Sequence, residues 1–457
     1  MNIQSINPVN GKLVKTYTED RADQMNKKIE NAHAAWQDWR ETSFEERRVL
    51  LTKTANILRE KKSDLATLMA TEMGKPLKDG IGEIEKCALA CEYYVENGEA
   101  FLKDELVKTE AQKSFVTFKP LGVVLAVMPW NFPFWQVFRF LAPGLIAGNC
   151  ALLKHASNVP GCAVAIEEIL LQAGFPKGVF QTLLIGSKAV KQVIEHPFVK
   201  AVTLTGSTGA GVQVAQQAAS QLKKTVLELG GSDPYIVLED ADLEEAAEIC
   251  AYSRLINNGQ SCIAGKRFIL VKNIEKKFIA LFKEKMAARR TGDPFNEDAD
   301  LGPIARIDLR DDLHKQVLEN IKAGAQLTLG GILPNDPGNN AFYTPTILTG
   351  VRKGMSAYTD EIFGPVAAVI SANDTKEAIA IANDTSFGLG AAVFTKNITV
   401  GEQIAKEKLQ AGSCFVNSFV KSDPRLPFGG INQSGYGREL GLFGIREFVN
   451  IKTVYIK

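Results

Sequence analysis

The sequence has few histidines, no excess of either charge, and no cysteines at the spacing of a disulfide or zinc site. None of the four histidines lies in the context of a cysteine–histidine hydrolase. Lys and Arg total 53 against 52 Asp and Glu, which argues against the basic stripe of a nucleic-acid-binding surface. The seven cysteines are odd in number and lack paired spacing, which argues against a disulfide framework and indicates a reducing compartment.

The sequence also lacks a secretion signal and an unbroken membrane span. Its first residues, MNIQSINPVNGKLV, do not show the basic and then apolar order of a signal peptide. Residues 121–153 are mostly apolar and long enough to cross a bilayer, but three prolines, Asn131 and Arg139 interrupt them. These residues would be costly in lipid. We therefore expect a cytoplasmic protein.

What the chain does contain is a long alternation of helices and short apolar runs. Residues 26–102 carry apolar residues at every third or fourth position, as helices do. Runs such as GVVLAVM, CALLKHAS and AVTLTGS then alternate with helices, which indicates parallel sheet covered on both faces. A second alternating run starts near PYIVLEDADLEE. For 457 residues, this predicts an α/β fold with two parallel-sheet domains.

Two stretches have a different character. LVKTEAQKSFVTFKP and the final EFVNIKTVYIK are rich in β-branched and aromatic residues with lysines between them, as in exposed antiparallel strands. A ribbon of this kind is marginal alone, and its open edge invites pairing with another chain. We expect a homodimer or homotetramer, the alternative being an edge strand that its lysines protect.

A glycine-rich turn follows the strand predicted at 201–205. Gly206, Gly209 and Gly211 precede a helix whose first N–H groups would attract a phosphate. Their order differs from the usual dinucleotide pattern G-x-G-x-x-G. Glu228 follows at about the distance where that pattern places a ribose-binding acid. Spacing alone leaves Glu228 as either that ligand or a catalytic carboxylate.

Two further residues have open interpretations. Cys262 lies in NNGQSCIAG, among small and polar residues. It is either a nucleophile on a loop or, as free cysteines more often are, an inert buried side chain. Arg139 lies between two phenylalanines of an apolar helix, four residues after Trp135. If it is buried, Arg139 needs an anionic partner, which is either an internal carboxylate or a ligand.

Six motifs settle these alternatives by resemblance. PWNFP, GSTGAG, LELGG, NNGQSC, EIFGPV and PFGG occur in an order that resembles the NAD(P)-dependent aldehyde dehydrogenase superfamily, essentially end to end. The resemblance implies that Cys262 is the nucleophile and Glu228 the general base. It also implies that Asn131 forms the oxyanion site with the Cys262 N–H. Because a free thiol titrates near ~8.5, the site is expected to favour the thiolate through dipoles or nearby charge.

The same resemblance implies a domain division. Residues 1–101 and 121–229, with a helix near 435–446, would form a Rossmann-type cofactor domain, and residues 230–434 the catalytic domain. Residues 102–120 and 447–457 would form the oligomerisation strands.

The resemblance also implies a cofactor site. Trp130 and Ser207 would lie at the pyrophosphate beside Gly206, and Thr205 and Phe363 near the nicotinamide, whose ribose Glu361 would bind. Taken without their motif, Phe363 could equally be core and Glu361 a solvated turn residue.

The sequence departs from the family where the family often reads Lys-Pro-Ser-Glu, because this chain reads KHAS. The usual glutamate would repel a 2′-phosphate, whereas Ser157 offers a hydroxyl and Lys154 an ammonium. We therefore expect NADP to be accepted and preferred, with NAD as the alternative.

Within the superfamily the chain most resembles bacterial succinate-semialdehyde dehydrogenases. An arginine in the place of Arg139 binds the substrate carboxylate there, so we expect a short carboxylated aldehyde to be oxidised, with succinic semialdehyde as the substrate. Trp135, Ser418 and Phe419 are expected in the same pocket, and no metal is expected.

Other activities remain as alternatives. An aldehyde dehydrogenase of broader specificity shares these motifs. An acylating enzyme would release the thioester to coenzyme A, but Glu228 favours hydrolysis. A cysteine hydrolase would need a histidine partner. A non-catalytic protein of this fold would be expected to lack the set of Cys262, Glu228 and Asn131. No cysteine adjoins Cys262, so no local disulfide can form there.

Overall fold

A computed structural model of the protein describes residues 2–333 and 340–457. The first part of the chain is mainly helical and then alternates strands with helices. Its elements are β1 (Asn2–Ile6), β2 (Leu13–Thr18), α1 (Ala22–Trp39), α2 (Phe44–Glu60), α3 (Lys62–Met73), α4 (Leu77–Phe101), β3 (Glu105–Leu106), β4 (Lys113–Pro120), β5 (Val123–Met128), α5 (Trp135–Ile146), β6 (Cys150–His155), α6 (Pro160–Ala173), β7 (Phe180–Thr182), α7 (Val190–Glu195), β8 (Val199–Thr205), α8 (Thr208–Ala219) and β9 (Lys224–Glu228).

The second part repeats the alternation and ends on a long strand. Its elements are β10 (Pro234–Val237), α9 (Leu243–Leu255), β11 (Arg267–Val271), α10 (Lys272–Ala287), α11 (Ile307–Lys322), β12 (Gln326–Leu329), β13 (Thr346–Thr349), α12 (Ser356–Thr359), β14 (Val366–Ala372), α13 (Thr375–Asn383), β15 (Gly390–Phe394), α14 (Ile398–Gln403), β16 (Ser413–Val416), β17 (Gly435–Tyr436), α15 (Gly441–Arg446) and β18 (Val449–Ile456).

Two sheets of mainly parallel strands organise these elements. One has the order β17-β9-β8-β5-β6-β7, and only β17 runs antiparallel to its neighbour. The other has the order β12-β13-β14-β11-β10-β15-β16, and only β12 runs antiparallel. Each sheet has its own cluster of buried apolar side chains. The α/β fold with two parallel sheets is therefore confirmed, while the exact domain boundaries stay a prediction.

The two stretches with exposed-strand character form a separate antiparallel sheet. Its order is β18-β4-β3, and β18 pairs with β4 from Val449 to Ile456. The outer edge of β18 carries no further strand among the described residues. Ile451 and Tyr455 are among its exposed side chains.

Sheet topology brings the motif residues together. In the first sheet, β5 lies between β6 and β8, so the loops after these strands share one edge. In the second sheet, β11 and β14 are parallel neighbours, so the loops that precede them are adjacent. The glycine turn follows β8, and KHAS lies at the end of β6. Cys262 lies in the loop before β11, and EIFGPV lies in the loop before β14. No helix among the described residues is long and apolar enough to cross a membrane.

Candidate active site

A left-handed turn presents Cys262 to the interior. Asn257 and Asn258 have φ of 54° and 60°, and Gly259 has φ of 73°. Asparagine is one of the few residues that tolerate this region, and glycine enters it freely. A Cβ on Gly259 would also collide with the backbone of Gly364 in the EIFGPV loop. The NNG sequence is therefore required by both the turn and the contact between the two loops.

Amide side chains fix this turn against the PWNFP loop. The Asn257 Nδ2 donates to the Asn131 carbonyl at 2.7 Å and to the Gln260 carbonyl at 3.1 Å. The Asn131 Nδ2 also donates to the Gln260 carbonyl, at 3.1 Å. All three side chains are buried. The predicted oxyanion residue Asn131 is thereby held beside the backbone that leads into Cys262.

The Cys262 thiol is half-buried in the wall of a cavity of about 380 Å³. Burial raises the pKa of the Cys262 thiol to about 12, although the positive charges of Lys266 and Arg139 oppose the shift. The expectation that the site favours the thiolate is wrong, because desolvation outweighs the nearby cations. The resting nucleophile is therefore the thiol, and the thiolate forms only when a proton is removed.

The Cys262 backbone and the Asn131 side chain each keep an N–H group that no described acceptor uses. Within the described residues, the Cys262 backbone N–H donates to no protein acceptor. The Asn131 amide uses one N–H on the Gln260 carbonyl and retains a second. They are the side-chain donor and the backbone donor that the resemblance assigns to an oxyanion site, and this role stays a prediction.

Glu228 ends β9 and is almost completely buried. Neither carboxylate oxygen has a hydrogen-bond partner in the described structure. A Cβ on Gly429 would lie 2.7 Å from Glu228 Oε1, so the glycine pair of PFGG makes room for this carboxylate. Burial raises the pKa of Glu228 well above its usual value, and the negative charge of Glu439 adds to the shift. Glu228 is not among the residues that line the cavity of Cys262.

Arg139 is also buried, and its anionic partner is internal. The guanidinium forms an ion pair with Glu439, and the two side chains are 2% and 3% exposed. Arg139 also donates to the Thr205 hydroxyl at 3.2 Å and lies 4.6 Å from the Phe428 ring centroid. It still lines the Cys262 cavity. Of the two partners that the sequence left open, the structure contains the internal carboxylate.

The rest of the cavity wall is aromatic with a few polar groups. Trp135 and Phe419, both predicted from the sequence, line it together with Phe132 and Phe428, whereas Ser418 is not among the lining residues. Glu83 of α4 positions Trp135, because its carboxylate accepts the N–H groups of Phe134 and Trp135, both at 2.9 Å. Unpaired N–H groups at a helix start favour such an anion.

The glycine turn stands at the carboxyl end of β8. The Gly206 N–H donates to the Glu228 carbonyl at 2.9 Å, which joins the turn to the end of β9. The Ser207 hydroxyl accepts the Ala210 N–H at 3.4 Å and caps α8. A Cβ on Gly209 would meet nothing within 4 Å, so the start of α8 is open. The first N–H groups of this helix are accessible to a phosphate.

The predicted 2′-phosphate residues lie beside this turn. Lys154 of β6 and Leu204 of β8 pair with Val127 of β5 from opposite sides. Their backbones are therefore separated by two strand spacings, which is about 10 Å. Lys154 is half-buried, burial lowers its pKa, and no described carboxylate or carbonyl pairs with it. Ser157 is exposed. A half-buried ammonium without a counter-ion and an exposed hydroxyl three residues later fit a cofactor that carries a 2′-phosphate.

The remaining predicted cofactor residues lie around the EIFGPV loop. The Trp130 and Phe363 rings make an edge contact with their centroids 5.8 Å apart. Glu361 accepts the Gly231 N–H at 3.2 Å and pairs with Lys266 Nζ at 3.2 Å. Lys266 also donates to the Ser261 carbonyl at 2.9 Å and to the Cys262 carbonyl. Glu361 is therefore tied to the nucleophile's own loop.

Comparison with known proteins identifies the family. Residues 1–454 match the aldehyde dehydrogenase family. The chain is an aldehyde dehydrogenase family member. Among the described residues, no group of three or more His, Cys, Asp or Glu side chains is placed to hold a metal ion.

This aldehyde dehydrogenase has full-length relatives. It is 49% identical over 456 residues to a probable succinate-semialdehyde dehydrogenase (NADP+) of Synechocystis, with 100% of both chains covered. It is 47% identical over 459 residues to succinate-semialdehyde dehydrogenase (NADP+) 1 of Mycobacterium tuberculosis, again with 100% of both covered. The solved succinic semialdehyde dehydrogenase of Streptococcus pyogenes in complex with NADP+ has a TM-score of 0.97 at 37% identity over 99% of each chain. The predicted aldehyde dehydrogenase-like fold is confirmed.

Sequence reasoning missed several residues that this site contains. Glu439 lies far along the chain from Arg139, and no local pattern joins the two. Lys266 follows Cys262 by only four residues, so the sequence shows a cation close to the nucleophile. Lys86 and Ser422 line the cavity, yet each occupies an unremarkable position in the sequence.

Proposed function

We propose that this aldehyde dehydrogenase oxidises succinic semialdehyde to succinate with NADP+ as the preferred acceptor. The observation that carries the proposal is the cavity wall, which combines the Cys262 thiol with aromatic rings and with the cationic side chains of Lys86 and Arg139. Aromatic walls suit a short carbon chain, and cations suit a terminal carboxylate. The names of the full-length relatives support the same substrate and cofactor.

The first step takes place on the nucleophile. The Cys262 thiol releases its proton to solvent water as its sulfur bonds to the aldehyde carbon, and the electron pair of the C=O π bond moves to the carbonyl oxygen, which becomes an alkoxide. The Asn131 amide and the Cys262 N–H are the two donors that stabilise this alkoxide. Loss of one such donor typically costs about 3 kcal/mol of transition-state stabilisation, which is on the order of a hundredfold in rate.

When bound, NADP+ supplies the acceptor for the hydride that the thiohemiacetal carbon loses. Lys154 and Ser157 would hold its 2′-phosphate, and the open start of α8 at Gly206 and Ser207 its pyrophosphate. Trp130, Thr205, Glu361 and Phe363 are the remaining proposed contacts.

The thioester left on Cys262 is then hydrolysed. Glu228 is the proposed general base, because it is a carboxylate without any hydrogen-bond partner among the described residues and because burial raises its pKa. A raised pKa makes the ionised carboxylate a stronger base for water. Since Glu228 does not line the cavity of Cys262, its side chain must turn toward the thioester for this step.

A substrate panel tests this function. Succinic semialdehyde, glutaric semialdehyde, butanal and benzaldehyde are each assayed with NADP+ and with NAD+ by absorbance at 340 nm. The expected result is a kcat/KM for succinic semialdehyde at least tenfold above that for butanal, with NADP+ favoured over NAD+. Equal or higher efficiency with butanal would exclude the carboxylated substrate. Cys262→Ala is the control for non-enzymatic reduction.

We also propose that β18 mediates association of identical subunits. Its outer edge and its exposed Ile451 and Tyr455 support an interface rather than a solvated surface. Light scattering after size exclusion measures the mass of the parent and of Ile451→Lys. A dimer or tetramer that dissociates in the variant is expected, and a monomeric parent would refute the proposal.

A further inference from the structure

Lys86 is a half-buried lysine on α4 that reaches the cavity of Cys262. Its Nζ lies 4.2 Å from the centroid of the Trp135 ring. It donates a hydrogen bond to the Ser422 hydroxyl at 2.8 Å. No carboxylate among the described residues forms an ion pair with it. The ammonium therefore faces the cavity with contacts to an aromatic ring and a hydroxyl, but without a counter-ion.

Ser422 is arranged to act with Lys86. Its hydroxyl oxygen accepts one hydrogen bond from Lys86 and a second from the Trp135 Nε1 at 3.1 Å. Both lone-pair positions of the oxygen are thus in use, which leaves its proton free to donate. Within the described part of the chain this proton has no acceptor. An anion beside Lys86 could receive donors from both side chains.

The other cations of the cavity wall differ from Lys86. Arg139 is paired with Glu439, and Lys78 is paired with Asp300 at 3.2 Å. Lys421 is exposed to solvent. A charge that is withdrawn from water without a partner costs free energy, so the protein would gain from a ligand that supplies the missing negative charge. In accordance with this, burial lowers the pKa of Lys86 to about 8.

We propose that Lys86 and Ser422 bind the terminal carboxylate of the aldehyde substrate, with Trp135 packed against its carbon chain. This inference rests on the proposed oxidation of a carboxylated aldehyde and identifies the residues that select it. The contact is a charge-assisted hydrogen bond from the ammonium together with a neutral one from the hydroxyl. Arg139 adds positive charge to the same wall, partly neutralised by Glu439.

The test compares a charged and an uncharged substrate of equal length. The ratio of kcat/KM for succinic semialdehyde to kcat/KM for butanal is measured in the parent, Lys86→Met and Lys86→Arg. Removal of the charge in Lys86→Met should lower this ratio about 10- to 100-fold, mainly through KM for succinic semialdehyde. Lys86→Arg should restore most of the ratio. Ser422→Ala should lower it by a smaller factor.

Lys421→Met is the matched control, because it removes an exposed lysine from the same cavity wall. Its ratio should change by less than about threefold, since an exposed charge is screened by solvent. If the parent prefers succinic semialdehyde and Lys86→Met keeps the parental ratio, Lys86 does not bind the carboxylate and the proposed function stands. If the parent shows no preference for succinic semialdehyde over butanal, the proposed function is wrong, and the assignment of Lys86 that rests on it is wrong as well. Loss of the ratio in both Lys86→Met and Lys86→Arg would indicate a structural role and also overturn the assignment.

Discussion

The Arg139 guanidinium and the Glu439 carboxylate form an ion pair in which both side chains are almost completely buried. The pair joins α5 to the segment before α15, two parts of the chain that are far apart in sequence. It stands next to Glu228, whose pKa it influences through both of its charges. A structural ion pair therefore adjoins the proposed general base.

Removal of one member of this pair should destabilise the protein. Glu439→Gln would leave a buried arginine without a counter-ion, and breaking a buried pair in this way costs about 3 kcal/mol or more. We expect a lower Tm by differential scanning fluorimetry. The double variant Arg139→Met, Glu439→Leu should lose less stability than the two effects added together. An unchanged Tm in Glu439→Gln would show that the pair contributes nothing to folding.

The pKa of Cys262 predicts how its reactivity depends on pH. Since burial raises this pKa to about 12, the thiolate fraction should rise about tenfold per pH unit throughout the neutral and mildly alkaline range. The rate of inactivation by iodoacetamide, measured without cofactor between pH 7 and 9, should follow the same slope. Mass spectrometry of Cys262→Ala accounts for labelling elsewhere. A plateau near pH 8 would mean that the site stabilises the thiolate after all.

The titration of Lys86 predicts a second pH dependence, that of the preference for the carboxylated substrate. This preference should fall as pH rises, whereas the reactivity of Cys262 should increase. Its cation is fully present well below its pKa of about 8 and is lost above it, so the preference for succinic semialdehyde over butanal should decline at alkaline pH. The charged or titratable groups that act on Lys86 are Glu83 and Cys87 of α4, Arg139 of α5 and Asp423. The ratio of kcat/KM values removes the common contribution of the thiol. In Lys86→Arg this ratio should stay level from pH 7 to 9.

Part of this site could be predicted from the sequence because its motifs are local. The NNG turn needs residues that tolerate positive φ, and LELGG and PFGG need glycine where a carboxylate or backbone comes close. Such requirements are visible in a few consecutive letters. The parallel sheets could likewise be predicted, because apolar strands and amphipathic helices have their own periodicities.

The contacts that could not be predicted join segments that are far apart in the sequence. A buried Arg139 needs an anionic partner, but no local pattern in the sequence indicates that this partner is Glu439 rather than another acidic residue. Lys86 lies in GEIEKCALA, where a lysine beside glutamates is typical of the solvated face of a helix. Only the packing of α4 against α5 places its ammonium over the Trp135 ring. The raised pKa of Cys262 depends on burial by the assembled loops. The expectation of a stabilised thiolate failed for this reason.

Glu228 is expected to be needed for release of the product rather than for its formation. Glu228→Gln retains the shape of the side chain but cannot accept a proton from water, so hydrolysis of the thioester should slow by about 10²- to 10⁴-fold. Stopped-flow absorbance at 340 nm should still show a first burst close to one equivalent per Cys262, followed by a slow steady state. Loss of the burst together with turnover would instead assign Glu228 to the first half of the reaction.

Ser157 should determine the choice between the two nicotinamide cofactors. Ser157→Glu introduces a carboxylate that repels a 2′-phosphate and can accept hydrogen bonds from the ribose hydroxyls of NAD+. KM for NADP+ should rise at least tenfold, while KM for NAD+ should fall. Ser157→Ala is the neutral control and should raise KM for NADP+ by a smaller factor, because Lys154 still supplies the positive charge. Equilibrium binding, followed by quenching of tryptophan fluorescence, should change in the same direction as KM. If Ser157→Glu left the affinity for NADP+ unchanged, the 2′-phosphate would have to bind away from Ser157 and Lys154, and the absence of a glutamate from KHAS would not account for the cofactor.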